Sequence, residues 1–389
     1  MTLVAGMIWW AALGLALAAI AYRLLAIWAV YTWRPVSGAG FPDETTVTVL
    51  KPLCGLEDGL EDALDSFLSQ QTRHQVRHVF GVADASDPAL AMARQVAARH
   101  PHVRTEFIVN PALHGANRKV SNLINMAESG LDDIVVISDS DIVIAPGALQ
   151  EAIDALSAPG MGAVTSLYRG RPGRAGDRVR DFGAWYLDYW SLPMGALHAR
   201  LGELDVTYGP LTALRRDVLM RGGGLQSIAM HLCDDAALGR LVLGTGMKLG
   251  FAPQVVETLV NDAGAAALFA HELRWSCTDR AEHPVGNIAT VVSHPGPLPW
   301  LLLLQPGWIA ALGIALPVLL RWALARLVER RFGRAASAAR IGLLGVFLRD
   351  LGCFAVWLRG LTASTVDWRG QRLALGRGGL LAASAEGGQ

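Results

Sequence analysis

Three apolar segments stand out in the pattern of hydrophobic and polar positions, at residues 3–22, 298–320 and 341–358. The first contains no charged side chain, and Arg23 is the single charge within residues 1–33. A helix over residues 3–22 would cross a hydrocarbon core of ~30 Å at 1.5 Å per residue. The alternative is a cleaved signal peptide, but the segment has no basic start and no small-residue cleavage site. We therefore predict a retained N-terminal transmembrane helix.

Between about residues 45 and 250, short β-branched runs alternate with helical patterns. This alternation is typical of βαβ units around a largely parallel sheet, which is an α/β fold. Strands are predicted at 46–50, 76–82, 105–109, 134–138 and 162–168. Helices are predicted at 59–70, 88–100, 119–129 and 146–156. Ligands of open α/β sheets bind beyond the carboxyl ends of the strands, so polar motifs at those ends carry the most weight.

Composition supports a membrane-associated protein without a nucleic-acid partner. Hydrophobic residues make up 52% of the chain and charged residues 17%, compared with roughly 25% charged in a typical soluble domain. The net charge is zero, so no basic patch for nucleic acid is indicated. Four cysteines (Cys54, Cys233, Cys277 and Cys353) lack metal-ligand spacing, and we interpret them as reduced structural residues.

The basic residues are almost all arginine. Of the 34 lysines and arginines, only Lys51, Lys119 and Lys248 are lysines. Together with abundant Ala and Gly, this bias indicates a bacterial genome of high GC content. Lys51 and Lys119 lie inside motifs, which indicates sites where a compact ammonium fits and a planar guanidinium does not.

The strongest local signal is the predicted strand 134–138 followed by Asp139-Ser140-Asp141. Divalent metals that hold a diphosphate prefer carboxylate ligands, and Asp139 and Asp141 at a strand end meet that need. The alternative is a strand-to-turn junction with a capping aspartate. Asp84 follows the strand 76–82 in the same way, and it either contacts a nucleotide or forms a turn.

Two further candidates lie on predicted helices. Asp234 and Asp235 open a helix that extends through Arg240, where they either cap the helix or supply a general base. Arg274-Trp275 lies shortly before the second apolar segment. An arginine there could bind a diphosphate and a tryptophan a sugar or lipid, although an ordinary membrane-interface pair has the same sequence.

Taken in order, these motifs resemble a known family. Asp84, Asp139-Ser140-Asp141, Asp235 and Arg274-Trp275 resemble the D, D, D, (Q/R)xxRW signature of the ceramide glucosyltransferase family, within the GT-A glycosyltransferases. Further matches are at Lys51-Pro52-Leu53, at residues 115–123 and at Asp367-Trp368-Arg369-Gly370. Residues 164–172 and 271–275 resemble the bacterial hopanoid-biosynthesis branch more closely.

The resemblance implies a GT-A fold and an inverting transfer of one sugar from a UDP-sugar to a lipid hydroxyl. It implies that Asp84 contacts the nucleotide, that Asp139 and Asp141 hold Mg²⁺ or Mn²⁺, and that Asp235 is the general base. Lys119 and Asp139 would also contact the donor, and Arg274-Trp275 would serve the diphosphate and the acceptor.

Two departures from the family pattern concern specificity. His271 stands where the family has Gln or Arg, so we leave it out of the catalytic set. The stretch Tyr208-Gly-Pro-Leu-Thr212 interrupts an expected Gly-x-Thr, which leaves the sugar and the acceptor open. A processive polysaccharide synthase is excluded because three apolar segments are too few for a translocation channel. The remaining alternative is a lipid-binding scaffold, which would be expected to have lost some of these carboxylates.

Arginines that flank the apolar segments predict the topology. Arg23 and Arg34 follow the first segment with nothing basic before it, so the positive-inside rule places the catalytic domain in the cytoplasm of a bacterial inner membrane. A full crossing at 298–320 would put six following arginines outside. We therefore expect the two later segments to be re-entrant or interfacial, although two spanning helices remain an alternative.

The predicted domains follow from these segments. They are an anchor over 1–33, a catalytic domain over 44–296, membrane-associated helices over 297–360 and a cytoplasmic tail over 361–389.

Overall fold

The computed structural model describes residues 2–202, 204–363, 365–368, 371–375 and 381–383. It contains helices in both halves of the chain. The α-helices are α1 (Leu3–Tyr31), α2 (Leu60–Leu68), α3 (Pro88–Ala98), α4 (Arg118–Ala127), α5 (Ala148–Leu156), α6 (Arg178–Tyr186), α7 (Leu192–Leu201), α8 (Arg216–Arg221), α9 (Asp234–Gly244), α10 (Ala265–Glu282), α11 (Pro284–Ala289), α12 (Trp308–Phe332) and α13 (Leu343–Gly360).

A seven-stranded sheet forms the centre of the catalytic domain. The strands are β1 (Thr46–Pro52), β2 (Gln75–Val82), β3 (Arg104–Val109), β4 (Ile134–Ser138), β5 (Ile142–Val143), β6 (Met161–Thr165), β7 (Tyr168–Pro172), β8 (Leu211–Arg215), β9 (Lys248–Phe251), β10 (Val256–Val260), β11 (Thr365–Trp368), β12 (Gln371–Leu375) and β13 (Leu381–Ala383). The order in the central sheet is β3-β2-β1-β4-β8-β6-β9. Only β8 is antiparallel to its neighbours, so the prediction of a mostly parallel α/β sheet is confirmed.

The predicted strands match the observed ones except at 162–168. The chain leaves the central sheet after Thr165, and β7 pairs instead with β10 in a second sheet of order β5-β10-β7. The antiparallel β8 was not predicted, because Leu211–Arg215 is short and has no alternation of its own. Burial explains its position, since Leu211, Ala213 and Leu214 are almost completely inaccessible between β4 and β6.

The carboxyl ends of β1, β2 and β4 lie side by side. Lys51 pairs with Phe80 across β1 and β2, and Leu50 pairs with Ile137 across β1 and β4. Asp139 and Asp84 follow β4 and β2 by one and two residues. The fold therefore brings Lys51, Asp139 and the turn that carries Asp84 to one edge of the sheet, as βαβ topology requires.

Helices α1 and α12 run parallel to each other outside this domain. At their N-terminal ends Ala16 packs near Gly313, and the Trp9 indole donates to the carbonyl of Leu302 at 3.0 Å. At their C-terminal ends Arg331 donates to the carbonyl of Trp33 at 3.1 Å. The Arg-rich end of α12 therefore lies on the same side as the catalytic domain.

The chain reaches the start of α12 along α1. Val292 and Ser293 contact Arg23, whereas Leu302 contacts Trp9. Within ten positions the chain therefore runs along α1 from the level of Arg23 to the level of Trp9. Part of this path is the 3₁₀-helix Leu298–Leu304. The sequence shows an interruption of the apolar segment 298–320 at Pro306 and Gly307, and in the structure these two residues separate that 3₁₀-helix from α12.

Two helices, α1 and α12, are long and apolar enough to cross a membrane, a criterion that signal sequences and core helices also meet. In the most apolar part of each helix, only 22% of α1 and 33% of α12 is buried. Neither helix is therefore enclosed as a core helix is. Large hydrophobic side chains are exposed on them and on the connecting 3₁₀-helix, among them Leu3, Met7, Trp10, Leu17, Trp300, Leu303, Trp308, Leu312 and Leu319.

The charged pair in the third apolar segment faces the protein interior. Arg349 on α13 donates to Glu272 of α10 at 2.6 Å, and Asp350 lies 3.5 Å from Arg23 of α1. These two charged side chains are therefore paired inside the protein rather than exposed on the apolar surface of α13. These pairs also join α13 to both the catalytic domain and α1.

The predicted tail over 361–389 includes three strands, β11, β12 and β13, in an antiparallel sheet. Asp367 and Trp368 of the tail motif are in β11, whereas Arg369 and Gly370 lie outside the described residues.

Candidate active site

A cluster of three aspartates surrounds the ammonium group of Lys119. Its Nζ lies 2.6 Å from Asp139 Oδ1, 2.8 Å from Asp234 Oδ2 and 4.0 Å from Asp235 Oδ1. The Lys119 side chain is 18% exposed, whereas those of Asp139 and Asp235 are 32% and 33% exposed, so the cluster opens to solvent at both Asp139 and Asp235. The structure thus brings together three of the predicted site residues, Lys119, Asp139 and Asp235.

Two loops hold the starts of α4 and α9 against each other and so create this cluster. The backbone amide of Asn117 donates to the carbonyl of Ala229 at 2.9 Å, and the side-chain amide of Asn117 donates to the carbonyl of His231 at 2.8 Å. A Cβ on Gly115 would approach the Ala229 carbonyl to 2.4 Å, so this close approach requires glycine. Lys119 follows within the first turn of α4, which places it opposite the first turn of α9.

The capping interpretation of Asp234 and Asp235 is wrong. The N-cap of α9 is Cys233, which makes no side-chain capping bond, and the two aspartates are the first residues of the helix. Asp234 instead pairs with Lys119. Asp235 faces Gly209, where a Cβ would lie 2.7 Å from its Oδ2 and 3.1 Å from Asp139 Oδ2.

Burial raises the pKa of Asp235 well above its usual value, and the nearby charge of Asp234 adds to this effect. The positive charge of Lys119 acts in the opposite direction. The same carboxylates raise the pKa of Lys119 despite its burial, so the lysine stays charged. An aspartate with a raised pKa that is still partly exposed has the properties of a general base.

Lys51 holds the Asp-x-Asp turn from inside the protein. It is completely buried, and its Nζ donates to the carbonyl of Asp139 at 2.7 Å and to that of Ile142 at 3.4 Å. The ammonium also lies 4.0 Å from the centre of the Phe67 ring. Burial lowers the pKa of Lys51 to about 7, although the two aspartates of the turn oppose this change.

Asp141 is suited to a cation. Its pKa is raised to about 7, by burial first and then by the charges of Asp139 and Glu57. The charge of Lys51 acts in the opposite direction. The described residues contain no group of three His, Cys, Asp or Glu side chains placed to hold a metal. A metal that binds a diphosphate needs only one or two carboxylates from the protein, because the phosphates and water complete its coordination. Asp139 and Asp141 fit that smaller set.

Asp84 lies in an exposed turn at the edge of the site. Its Oδ1 accepts hydrogen bonds from the amide and the hydroxyl of Ser86, each at 2.8 Å, and these bonds lower its pKa. In the described part of the chain the carboxylate contacts Ser86 rather than the aspartate cluster. The turn-forming role is therefore observed, and contact with a nucleotide stays a prediction.

Arg274 and Trp275 lie on α10, beside the cluster rather than in it. The Trp275 ring stacks on Tyr186, with 5.9 Å between centroids and an angle of 22°, and lies 4.3 Å from the His271 ring. Leu273 and Cys277, on the other face of α10, pack against Leu232 and Ala116 in the two loops that position the cluster. The helix thus joins the membrane-side helices to the active-site loops.

The sequence alone did not predict the pairing of Asp234 with Lys119 or the contact of Gly209 with Asp235. Asp234 is the second partner of Lys119, and its adjacency to Asp235 was the available signal. Gly209 was noticed only as part of an interruption of the family pattern. Its role depends on contact with Asp235, 26 positions away, for which a single sequence carries no signal.

Comparison with known proteins identifies the family. The profile of glycosyl transferase family 21 matches residues 11–381. The chain belongs to glycosyl transferase family 21. Among curated family relatives, it is 28% identical over 120 residues to a ceramide glucosyltransferase of Komagataella phaffii, covering 30% of this chain and 23% of the relative.

A second relative of this family 21 protein is ceramide glucosyltransferase 1 of Caenorhabditis elegans, 24% identical over 245 residues, covering 60% of this chain and 50% of the relative. The chain spans about half or less of the length of these curated relatives. The fold is also similar to that of the mannosyltransferase PcManGT from Pyrobaculum calidifontis, solved in complex with GDP-Man and Mn2+. The TM-score is 0.53 and the identity 18%, over 91% of this chain and 99% of that chain. This likeness confirms the predicted GT-A fold.

Proposed function

We propose that this family 21 protein is a membrane-associated inverting glycosyltransferase, which moves a single sugar from a UDP-sugar to a hydroxyl group of a membrane lipid. The observation that supports it most is the cluster around Lys119. This cluster places a partly exposed aspartate with a raised pKa next to the first residue of the Asp-x-Asp turn. A general base for the acceptor and a carboxylate for the donor thus lie around one ammonium group.

In the proposed reaction Asp235 accepts the proton of the lipid hydroxyl while the oxygen attacks the anomeric carbon. The bond from that carbon to the β-phosphate oxygen breaks, UDP leaves with the electron pair, and the configuration at the anomeric carbon inverts. A divalent metal held by Asp139 and Asp141 would neutralise charge on the departing diphosphate. Arg274 would donate to the same diphosphate, and Asp84 would contact the nucleotide.

The donor and the acceptor rest on the relatives. The curated relatives are named ceramide glucosyltransferases, and PcManGT was solved with a nucleotide sugar and Mn2+. We infer UDP-glucose or UDP-N-acetylglucosamine as the donor and ceramide as the first candidate acceptor. A hopanoid polyol that receives N-acetylglucosamine is the alternative acceptor, favoured by residues 164–172 and 271–275.

The proposed location is a bacterial inner membrane with the catalytic domain in the cytoplasm. The exposed apolar side chains of α1, α12 and the 3₁₀-helix Leu298–Leu304 support insertion into a bilayer. The parallel packing of α1 and α12 supports the re-entrant topology, because it keeps the Arg-rich end of α12 beside the catalytic domain, where UDP-sugars are found.

Asp235→Asn tests the reaction. The substitution removes the base while preserving size and hydrogen bonding, so we expect transfer to fall by ~10²- to 10⁴-fold. Binding of UDP-glucose, measured by calorimetry, should stay within a few-fold. Asp217→Asn, on exposed α8, is a matched control for the loss of a carboxylate.

Both Asp235 and Asp234 should be replaced in parallel. Wild-type transfer rates in Asp235→Asn together with an inactive Asp234→Asn would move the base to Asp234. If the wild-type protein binds a lipid but releases no UDP from any donor, the scaffold interpretation replaces the enzyme.

A further inference from the structure

A cavity of about 50 Å³ lies between the catalytic domain and α13, apart from the aspartate cluster. Tyr186 and Trp190 form one wall, Trp357 of α13 forms another, and Asn287 and His294 line it from the segment that follows α10. No sequence motif pointed to this cavity. Its walls combine aromatic rings with polar side chains, including two carboxyl groups, which is the composition of a site for an amphiphilic ligand.

The cavity lies at the level of Arg23 in α1. Ser293 lines it, and the carbonyl of Ser293 accepts hydrogen bonds from Arg23 of α1 and Arg321 of α12. Trp28 and Tyr31 are exposed further along α1, and in a bilayer such aromatic side chains lie at the level of the lipid headgroups. The cavity is therefore within about two helical turns of that level, which is ~11 Å at 5.4 Å per turn.

Three polar atoms of the cavity walls lack hydrogen-bond partners within the described part of the protein, on Trp190, Asn287 and His294, and the last two lie on the segment that follows α10. Asn287 is 4% exposed, and its Nδ2 donates to the Ser276 carbonyl at 3.2 Å while its Oδ1 has no partner. In His294, Nδ1 lies 2.8 Å from the Ser293 hydroxyl, and Nε2 has no partner. A buried polar atom without a partner costs stability, so a ligand group that satisfies both atoms would be bound.

The side chains that line the cavity favour an uncharged ligand over an anionic headgroup. No lysine or arginine is among the described residues that line it, and two carboxyl groups, Glu272 and Asp279, are. Glu272 pairs with Arg349, and burial raises the pKa of Asp279 to about 7. Burial, followed by the charges of nearby arginines, lowers the pKa of His294 to about 3, so the ring is neutral. The described wall residues therefore offer hydrogen bonds to an uncharged ligand but no cationic side chain that could pair with a phosphate.

The cavity is joined to the aspartate cluster through aromatic residues. Tyr186 lines the cavity and stacks on Trp275. Both residues and Tyr168 pack against one hydrophobic cluster. The Tyr168 ring lies 6.1 Å from the ring of Tyr208, the neighbour of Gly209. These aromatic residues therefore connect the cavity to the part of the aspartate cluster that contains the proposed base.

We propose that this cavity binds a second hydroxyl or amide group of the lipid acceptor and selects acceptors that carry one. The selected class is uncharged lipids with several hydrogen-bonding groups in the headgroup, in contrast to diacylglycerols, which have a single free hydroxyl. This inference rests on the proposed function, because it names the acceptor class of that transfer.

The test compares two acceptors of equal chain length in mixed micelles, a ceramide and a 1,2-diacylglycerol, with UDP-glucose and UDP-N-acetylglucosamine as donors. Asn287→Leu and His294→Phe each remove one unpartnered atom. We expect kcat/KM for ceramide to fall about 3- to 10-fold in each variant, the usual effect of one hydrogen bond. The value for diacylglycerol should change less than about two-fold. His102→Phe, exposed and distant in sequence, is the matched control.

Equilibrium binding of ceramide, followed by tryptophan fluorescence, separates the two hypotheses. If the wild-type protein binds ceramide without releasing UDP, and both variants weaken that binding 3- to 10-fold, the transfer is refuted and the cavity assignment holds. If the wild-type protein transfers sugar, but both variants affect the two acceptors equally or not at all, the cavity assignment is refuted. Unchanged UDP binding and melting temperature in at least one variant exclude misfolding.

Discussion

Replacement of Lys119 by methionine tests the electrostatics of the cluster. The Nζ of Lys119 lies 2.6 Å from Asp139 Oδ1, 2.8 Å from Asp234 Oδ2 and 4.0 Å from Asp235 Oδ1. Its charge lowers the pKa of Asp235, against the effects of burial and of Asp234. Methionine has a similar length and no charge. The substitution therefore removes this stabilisation of the Asp235 carboxylate while changing the volume of the side chain only slightly.

The size of the effect follows from the distance. Two unit charges at 4.0 Å interact by ~4 kcal/mol at an effective dielectric constant of about 20. Asp235 is 33% exposed, and solvent screening reduces this energy to ~1 to 2 kcal/mol. Because 1.36 kcal/mol corresponds to one pKa unit, the pKa of Asp235 should rise by about one unit. The base must be deprotonated to act, so the acid limb of the pH profile should move to higher pH by about one unit.

The assay is the pH dependence of kcat for UDP release at saturating lipid. Lys119→Arg is the informative companion. This variant keeps the charge, but its planar guanidinium must fit between the carboxylate oxygens of Asp139 and Asp234, which lie 2.6 and 2.8 Å from Nζ of the native lysine. We expect it to lower kcat with little movement of the acid limb. Lys248→Met removes the lysine at the start of β9, on the exposed surface, and serves as the matched control.

An acid limb that stays in place in Lys119→Met, or moves to lower pH, would refute the assignment of Asp235 as the titrating base. Wild-type kinetics in Lys119→Arg would show that the lysine contributes only its charge.

Three further predictions concern packing and topology. Gly209→Ala should reduce transfer at least tenfold with little change in melting temperature, because its Cβ would displace the catalytic carboxylate 2.7 Å away; wild-type activity would contradict this. Cysteine at Ala336 and the exposed native Cys54 should react with an impermeant thiol reagent from the same side of sealed vesicles, and opposite sides would refute the re-entrant topology. Arg349→Met should lower the free energy of unfolding by ~3 to 5 kcal/mol, because it leaves the buried Glu272 carboxylate without its partner. The double variant Arg349→Met, Glu272→Met should lower it by less, and chemical denaturation in detergent measures both.

The first half of the catalytic domain was predictable because its order is local. Strand β4 was predicted with its observed bounds, since four apolar residues and Ser138 lead into an acidic turn. The starts of α3 and α4 follow from the caps Asp87 and Asn117, which each bond to an amide of their own helix. These signals require only neighbouring residues.

The remaining features depend on contacts between distant parts of the chain. Strand β8 exists because β4 and β6 bury it. The pair formed by Lys119 and Asp234 needs two loops to meet, and the family resemblance pointed to Asp235 without showing this pair. The burial of Arg349 and Asp350 could not be predicted, because their partners, Glu272 and Arg23, are far away in sequence.

The contact between Arg23 and Asp350 has a consequence for biosynthesis. More than 300 residues separate the two side chains, and at ~5 to 20 residues per second the ribosome needs roughly 15 to 65 s to make them. For most of that interval the Arg23 guanidinium lacks the carbonyl groups of Val292 and Ser293 and the carboxylate of Asp350, which are its partners in the folded protein. If α1 inserts into a membrane as proposed, this arginine has to remain hydrated until the chain has been made to about residue 293.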